Sequence, residues 1–358
     1  MQLPIRIFDY DIYIFINLID KVDFMDNLVK ARLDKDLTAL AMVRKVMVKY
    51  ALDIVSKQGI IDYLTTPRDL SQITKVFNIK NTSMLENILD ILVGYGILGF
   101  GEGKYYFEKN QELNIEEAEE FLRNNYRESL EWIKFVNQYS ENTLISGRPS
   151  ELTGFEEDKS VYYWNKIMEQ SPYSLRIVAI SELYKDMRPG ALVLDYGCGG
   201  GVGLEQLISL STIPLYFIGV DPSEKFFAEA KKRIDGLYFN DLVKENNRKN
   251  VVFDDFDNLD KYVNKLDGIF ISIIFNHINQ EEHVAIFKKL HRLLKTGGKL
   301  AIVQLLDFDK FNRNPIWVMH NIPSHKGYPL KGRFVSDLKS VFSKVDEMLD
   351  GMVTISTK

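Results

Sequence analysis

The feature that most constrains this chain is a glycine-dense segment that directly follows a short apolar run. Residues 192–203 are LVLDYGCGGGVG, and a helical pattern begins near Leu204. Because glycine accepts backbone angles that are closed to other residues, this pattern is typical of a strand that turns sharply into a helix. The first amides of a helix have no partner inside the helix, so a ligand can bind them. The segment therefore predicts a ligand site at the carboxyl end of a strand.

Two common nucleotide-binding motifs do not fit this segment. The dinucleotide fingerprint requires Gly-x-Gly-x-x-Gly or Ala, and its last position falls here on Val202, Leu204 or Gln206. A phosphate-binding loop requires Ser or Thr after a Gly-Lys pair, and neither Gly-Lys pair of this chain has one. The pattern that fits is Asp-x-Gly-x-Gly-x-Gly, in which Asp195 stands two residues before Gly197.

Acidic residues around the glycines indicate a ligand that carries a positive charge. Asp195 suits an ammonium group better than a pyrophosphate, and S-adenosyl-L-methionine has such a group. Asp221 ends a second apolar run, and it lies 18 positions after Gly203 (221 minus 203), where a ribose-binding carboxylate is expected. The alternative is that the glycines only form a tight turn. We predict that S-adenosyl-L-methionine is bound by Asp195, Gly197, Gly199, Gly201 and Asp221.

A third acidic segment follows the apolar run at residues 251–253. A carboxylate at the end of a third strand can accept a hydrogen bond from an adenine amino group, and an aromatic ring can lie beside the base. We favour Asp257 for this role, with Phe256 beside the ring and Asp255 as the second choice. The alternative is a solvated acidic loop.

The pattern of the last 170 residues predicts the fold class. Short β-rich runs alternate with helical ones from residue 189 to the C-terminus, which indicates an α/β domain with a doubly wound, mostly parallel, seven-stranded Rossmann-like sheet. The predicted strands are residues 191–194, 216–220, 251–253, 268–274, 299–305, 344–349 and 352–356.

The first half of the chain is predicted to be largely helical. We expect an N-terminal helical arm at 1–36, a winged-helix domain at 37–110, a helical linker with pocket helices at 111–188, and the cofactor domain at 189–358. Within 37–110, helical stretches are followed by a hairpin around the Gly-Glu-Gly turn at 101–103. A winged helix can bind DNA, but the stretch Thr82–Leu92 has Glu86 and Asp90 and no Lys or Arg. A DNA-binding regulator is therefore the less favoured alternative.

Composition limits the cellular compartment and the kinds of partner that we expect for this chain. The chain has 358 residues and a formal net charge of −5, which gives no indication of nucleic acid or membrane as a partner. Cys198 is its only cysteine, so an internal disulfide and a thiolate-rich zinc site are excluded, and we expect no metal. No run reaches the roughly 18 uncharged apolar residues of a membrane span, and the N-terminus lacks the positive region of a secretory signal. We expect a cytoplasmic protein.

Over residues 37–358 the chain resembles a known family, the class I S-adenosylmethionine-dependent methyltransferases. It is most similar to the small-molecule O-methyltransferases with an N-terminal winged-helix dimerisation domain. The resemblance rests on the glycine segment and on the strings GVDPS at 219–223, LDILVGYGIL at 89–98 and LLKTGGKL at 293–300. It implies a homodimer, a methyl donor and a small-molecule acceptor in a mostly apolar pocket.

The chain differs from the family at the position of the residue that acts as the general base. The family has a string like HDWxDEE, whose histidine deprotonates the acceptor hydroxyl, and a later glutamate orients that histidine. The matching positions here are Asn276 and Gln304, and an amide cannot act as a general base at neutral pH. We therefore expect the acceptor atom to be sulfur, nitrogen, carbon or the oxygen of an acidic hydroxyl. Such acceptors need little proton removal, because holding the nucleophile in line with the methyl carbon supplies most of the rate enhancement. Alternatively, His277 takes over by a one-residue shift, or it only caps the following helix.

Several apolar and aromatic residues are candidates for the acceptor pocket, with plain core packing as the alternative for each. They are Trp164, Met168, Phe308, Trp317 and His320. The amide pair also keeps open a cofactor-binding protein with a non-methylating or regulatory role.

Overall fold

The computed structural model describes residues 27–108, 113–170, 172–237 and 250–358. Most of the predicted N-terminal arm lies outside these residues. The chain forms two units, of which the first runs to Gly154 and includes Asp307–Gly327, while the second comprises Phe155–Leu306 and Tyr328–Lys358. Among the helices of the described ranges, none is long and apolar enough to cross a bilayer.

The first unit begins with four helices that lead into a two-stranded hairpin. Asp69 and Gln72 form a capping box at the start of the third helix, and Asn81 accepts the Met84 amide at 3.0 Å at the start of the fourth. These caps satisfy amides that have no partner inside the helix. The elements follow the predicted pattern, and the winged-helix assignment stays a prediction. They are α1 (Asn27–Lys57), α2 (Ile60–Tyr63), α3 (Leu70–Val76), α4 (Thr82–Gly94), β1 (Leu98–Gly101) and β2 (Lys104–Phe107).

Three further helices complete this unit, together with a segment from much later in the chain. The helices are α5 (Glu116–Asn125), α6 (Arg127–Asn137) and α7 (Ser140–Ser146). The indole of Trp317 donates to the Met47 carbonyl at 3.0 Å, and the Asn321 amide donates to Val136 and Ser140. These bonds explain why residues 307–327 group with the first unit and not, as the predicted boundaries have it, with 189–358.

The second unit contains a seven-stranded sheet, as predicted. Its strands are β3 (Leu192–Tyr196), β4 (Tyr216–Val220), β5 (Val251–Phe253), β6 (Leu266–Ser272), β7 (Leu294–Val303), β8 (Lys344–Met348) and β9 (Val353–Thr357). Its helices are α8 (Asp158–Met168), α9 (Tyr173–Tyr184), α10 (Val202–Leu210), α11 (Glu224–Leu237), α12 (His283–Leu293) and α13 (Lys331–Lys339). Strands β3 to β7 are parallel, and β9 is antiparallel to both β7 and β8.

The strand order of this sheet is β5-β4-β3-β6-β7-β9-β8. The chain proceeds from β3 through β4 to β5 on one side and then returns to β6 on the other side of β3. The order therefore reverses between β3 and β6, and the crevice outside the carboxyl ends at such a point is where open α/β sheets bind ligands.

Alternation along β3 separates its two faces. Leu194 and Tyr196 belong to a buried apolar cluster that includes residues of α12 and α13. Since successive side chains of a strand point to opposite faces, Val193 and Asp195 lie on the other face. This alternation is what places one carboxylate inside the domain at the end of the strand.

A buried histidine packs against the apolar cluster and makes the stability of this unit depend on pH. His283 is 1% exposed, and its ring lies 5.0 Å from Phe275 and 5.8 Å from Phe334. Burial lowers the pKa of His283 below its usual value. Because the folded-state pKa lies below the unfolded value, the unfolded chain binds the proton more readily, and stability is lost as the pH falls below about 6.5.

We predict that His283→Leu removes part of this loss. The free energy of unfolding of the variant minus that of the wild type should grow as the pH falls from about 7 to 5, with a slope of at most about 1.4 kcal/mol per pH unit. Denaturant unfolding at several pH values measures the difference. A difference that does not vary with pH would show that the ring is not titrated by unfolding.

Candidate cofactor and acceptor site

The glycine segment forms a turn that closely follows the end of β3. Gly197, Gly199 and Gly201 have φ angles of 75°, 52° and 81°, in the left-handed region that other residues rarely adopt. At Gly201 a β-carbon would lie 2.9 Å from the Cα of Ala230 on α11. The turn thus needs glycine both for its backbone angles and for the close approach of a neighbouring helix.

Asp221 is bound to this turn. Its Oδ2 accepts the Gly199 amide at 2.8 Å, and its Oδ1 accepts the Ser223 amide at 2.9 Å. The amides of Gly197 and Cys198 both donate to the Val220 carbonyl at 2.9 Å. Each carboxylate oxygen of Asp221 can accept a second hydrogen bond, such as one from a ribose hydroxyl.

Asp195 lies behind the turn and is almost completely enclosed. It is 2% exposed, and its Oδ2 has no hydrogen-bond partner among the described residues. A β-carbon on Gly203 would lie 3.1 Å from this oxygen, so the carboxylate points at the start of α10. Burial raises the pKa of Asp195 to about 8, Arg176 opposes this effect and Asp221 adds to it. A buried carboxylate without a partner is costly, and a bound cation would remove that cost.

The acidic segment after β5 lies beside the end of β3. The ring of Phe256 lies 4.9 Å from that of Tyr196, and burial together with Asp257 raises the pKa of Tyr196 to about 12. Asp257 is exposed, and its amide donates to Asp255 at 2.9 Å. The structure therefore brings Phe256 and Asp257 to the strand end that carries the glycine turn.

The three residues proposed for catalysis form one hydrogen-bonded series after β6 and β7. Asn276 and Gln304 are 0% and 1% exposed. The Gln304 side chain accepts the Phe275 amide at 3.0 Å and donates to Asn276 Oδ1 at 3.4 Å. Asn276 Nδ2 lies 3.0 Å from His277 Nε2, and since an amide nitrogen only donates, this ring nitrogen accepts. Both amides therefore have fixed orientations.

A residue with a strained backbone lies between β6 and the hydrogen-bonded side chains of Asn276 and His277. Ile273 has a φ of 54°, which for a β-branched residue costs about 1–3 kcal/mol. Its amide donates to the Val303 carbonyl at 2.8 Å. Strand β6 therefore ends just before Ile273, earlier than predicted. A β-carbon on Gly197 would lie 3.0 Å from Ile274, so the turn after β3 and the segment before Asn276 are in close proximity.

The acceptor candidates divide between the two units. In the second unit, the Trp164 ring lies 6.0 Å from that of His277, and the Phe155 ring lies 4.8 Å from it. All three of these rings are half-buried. Met168, one helix turn after Trp164, accepts from Arg176 through its carbonyl and sulfur.

In the first unit, Trp317 is 1% exposed and its indole is bonded to a backbone carbonyl, as core residues are. Phe308 is 36% exposed. Burial, with a smaller effect of Arg313, lowers the pKa of His320 to about 4, so its ring is neutral at physiological pH.

Two residues of the second unit were not predicted from the sequence. Phe155 precedes α8 in a polar stretch and gives no pattern of its own. Arg176 did leave a signal, because it is a lone charge in the apolar sequence of α9, YSLRIVAISELY. A charged residue on a face that must be buried needs a partner.

The comparisons with known proteins agree with this geometry. Residues 193–298 match the family described as a methyltransferase domain, and this range runs from β3 to the first half of β7. No curated protein matches the sequence.

Several solved structures share the fold of the chain. The CurJ carbon methyltransferase is 13% identical with a TM-score of 0.67, and the match covers 97% of this chain and 98% of that one. The citrinin polyketide synthase CMeT domain is 12% identical with a TM-score of 0.62, covering 98% and 95%. An O-methyltransferase family 2 protein from Planctomyces limnophilus, solved with apigenin, is 12% identical with a TM-score of 0.55, covering 90% and 94%. At these identities the likeness concerns the fold.

Residues 193–298 thus match a methyltransferase domain, and the sheet that contains them has a Rossmann-like, mostly parallel fold. The methyl donor of this domain family is S-adenosylmethionine. The enclosed carboxylate of Asp195 and the glycine turn suit the ammonium and the close backbone approach of that cofactor.

We predict that Asp221→Ala weakens binding of S-adenosylmethionine about tenfold to a hundredfold, because charge-assisted hydrogen bonds to the ribose and the bond to the Gly199 amide are both lost. Isothermal calorimetry measures the affinity. Asp235→Ala, which removes an exposed carboxylate from α11, is the matched control and should bind as the wild type does. An unchanged affinity in Asp221→Ala would contradict the placement of the ribose.

Proposed function

We propose that the protein transfers the methyl group of S-adenosylmethionine to a small-molecule acceptor whose reacting atom needs no strong general base. We favour an activated carbon as that atom. The observation that carries the proposal is the buried, mutually hydrogen-bonded pair of Asn276 and Gln304 at the position where the family resemblance implies a histidine and a glutamate.

The chemistry of this pair decides the class of acceptor. Neither amide can remove a proton at neutral pH. When bound, the cofactor supplies an electrophilic methyl group on a sulfonium, so an acceptor that is already nucleophilic needs to be held in line more than to be activated. Such positioning can supply about 7–11 kcal/mol of the barrier. The hydrogen bonds that fix Gln304 and Asn276 support a positioning role.

His277 contributes a wall of the site in this proposal. Its Nε2 accepts from Asn276, and its ring packs against Phe155 and Trp164. The amide of Asn276 therefore orients the imidazole.

A carbon acid between two carbonyl groups fits these requirements. Its C–H bond is acidic enough to ionise in mildly alkaline solution without a strong base, and amide N–H groups can stabilise the resulting enolate oxygen. The enolate carbon would bond to the methyl group as the methyl–sulfur bond breaks, and the leaving group would be a neutral sulfide. The carbon methyltransferases among the solved structures of similar fold support this preference.

We further propose that the protein is a cytoplasmic homodimer that assembles through the predicted winged-helix domain. The helices α1 to α4 and the hairpin of β1 and β2 support that domain assignment. The family resemblance supports the dimer, and the single cysteine supports a reducing compartment.

We predict that, with S-adenosylmethionine saturating at every pH, the pH dependence of kcat/KM for the acceptor follows the acceptor and not the protein. With a series of carbon acids or phenols whose pKa values span about 7 to 10, the rate should rise with pH through a midpoint that follows the pKa of each acceptor. The release of S-adenosylhomocysteine gives the rate.

His277→Asn is the control for this series. It should keep the acceptor-dependent midpoints, because His277 is a wall and not the base. A single midpoint shared by all acceptors in the wild type and lost in His277→Asn would identify His277 as a general base and overturn the proposal.

A further inference from the structure

Arg176 is a fully buried arginine that connects three elements around the glycine turn. It belongs to α9 and is 1% exposed. Its Nε donates to the Gln206 side chain on α10, and its Nη2 donates to the Met168 carbonyl at the end of α8. Gln206 in turn donates to the Tyr173 carbonyl at 3.0 Å. A guanidinium so enclosed is costly to desolvate unless hydrogen bonds and an opposite charge compensate it.

The carboxylate that could use this charge is that of Asp195. Gly203, whose β-carbon would lie 3.1 Å from Asp195 Oδ2, precedes Gln206 by three residues, so both lie on one face of α10. The side chain of Gln206 holds the guanidinium of Arg176 on that face. Asp195 is therefore enclosed on the side of the sheet where Arg176 is fixed.

The other titratable groups near Asp195 do not favour its charge. They are Tyr184 on the same helix as Arg176, Cys198 in the glycine turn and Asp221 at the end of β4. Burial keeps the Tyr184 hydroxyl and the Cys198 thiol neutral by raising the pKa of each. Asp221 is acidic and opposes a second negative charge, which leaves Arg176 as the cation of this group.

We propose that Arg176 is a positioning residue for the methyl donor. Its fixed guanidinium favours the ionised form of Asp195, which receives the donor's ammonium group, and the same side chain joins the end of α8 to α10. This inference rests on the donor-binding mode in the proposed function. Without the guanidinium, Asp195 keeps its proton up to a higher pH, and a neutral carboxyl group cannot form an ion pair with an ammonium.

The test compares Arg176→Met, which keeps the bulk of the side chain, with Arg176→Lys, which keeps its charge. Calorimetry gives the Kd of S-adenosylmethionine for each protein between about pH 6 and pH 8.5. The donor's own ammonium titrates near the top of this range, but it does so equally for all proteins, so the ratio of each variant's Kd to that of the wild type is the informative quantity.

For Arg176→Met we expect a ratio of about ten or more at the low end of the range, shrinking as the pH rises and Asp195 ionises. For Arg176→Lys, which keeps a positive charge beside Asp195, we expect a ratio below that of Arg176→Met at low pH and little variation with pH. Asp195→Asn should bind weakly at every pH, and adding Arg176→Met to it should cause little further loss.

A ratio for Arg176→Met that stays near one, or that is large but does not vary with pH, would overturn the proposal, because the second result is what a merely structural arginine gives. If Arg176→Met does not fold, Gln206→Met releases the guanidinium from its acceptor and should show the same pH-dependent ratio on a smaller scale; a constant ratio there would also overturn it. Failure of the wild type itself to bind the donor would refute the proposed function instead.

Discussion

The hydrogen bond from the Gly199 amide to the Asp221 carboxylate joins the carboxyl ends of two neighbouring parallel strands. Because the strand order reverses between β3 and β6, these strand ends border the crevice where open α/β sheets bind ligands. The turn can follow this path only with glycine at Gly199 and Gly201, whose φ angles are 52° and 81°. The enclosure of Asp195 and the start of α10 both depend on that path, and so does the approach of Ile274 to the turn.

The charges of the proposed donor site are matched to the substrate and not to the product. Asp195, Asp221 and Arg176 together carry one net negative charge when both carboxylates are ionised. S-adenosylmethionine has two cationic groups and one carboxylate, so its net charge is of opposite sign, whereas the sulfide formed by methyl transfer is neutral overall. Since Asp195 and Arg176 are buried and Asp221 is half-buried, their interaction with a bound ligand is weakly screened. With both carboxylates ionised, the proposed site would therefore favour the donor over the product.

Local pattern sufficed for the seven strands, and it placed Asp195, the glycines and Asp221 at two strand ends, while their role in cofactor binding stays a prediction. The features that the sequence did not reveal depend mainly on contacts between residues that are distant in sequence. Trp317 bonds to Met47 across 270 positions, so no local pattern assigns the segment around it to the first unit. Arg176 was visible as a lone charge in an apolar helix, but its partner Gln206 lies 30 positions away. The end of β6 was misplaced because nothing in the sequence marks the left-handed backbone of Ile273.

The central claim is that the turn after β3 holds an adenosyl sulfonium. The most direct measurement is calorimetry of the purified wild-type protein with S-adenosylmethionine, S-adenosylhomocysteine, NADH and ATP under one set of conditions. We expect saturable one-site binding of the sulfonium compound, weaker binding of the neutral sulfide, and no uptake of the dinucleotide or the triphosphate. Binding of NADH or ATP in place of S-adenosylmethionine would contradict this claim.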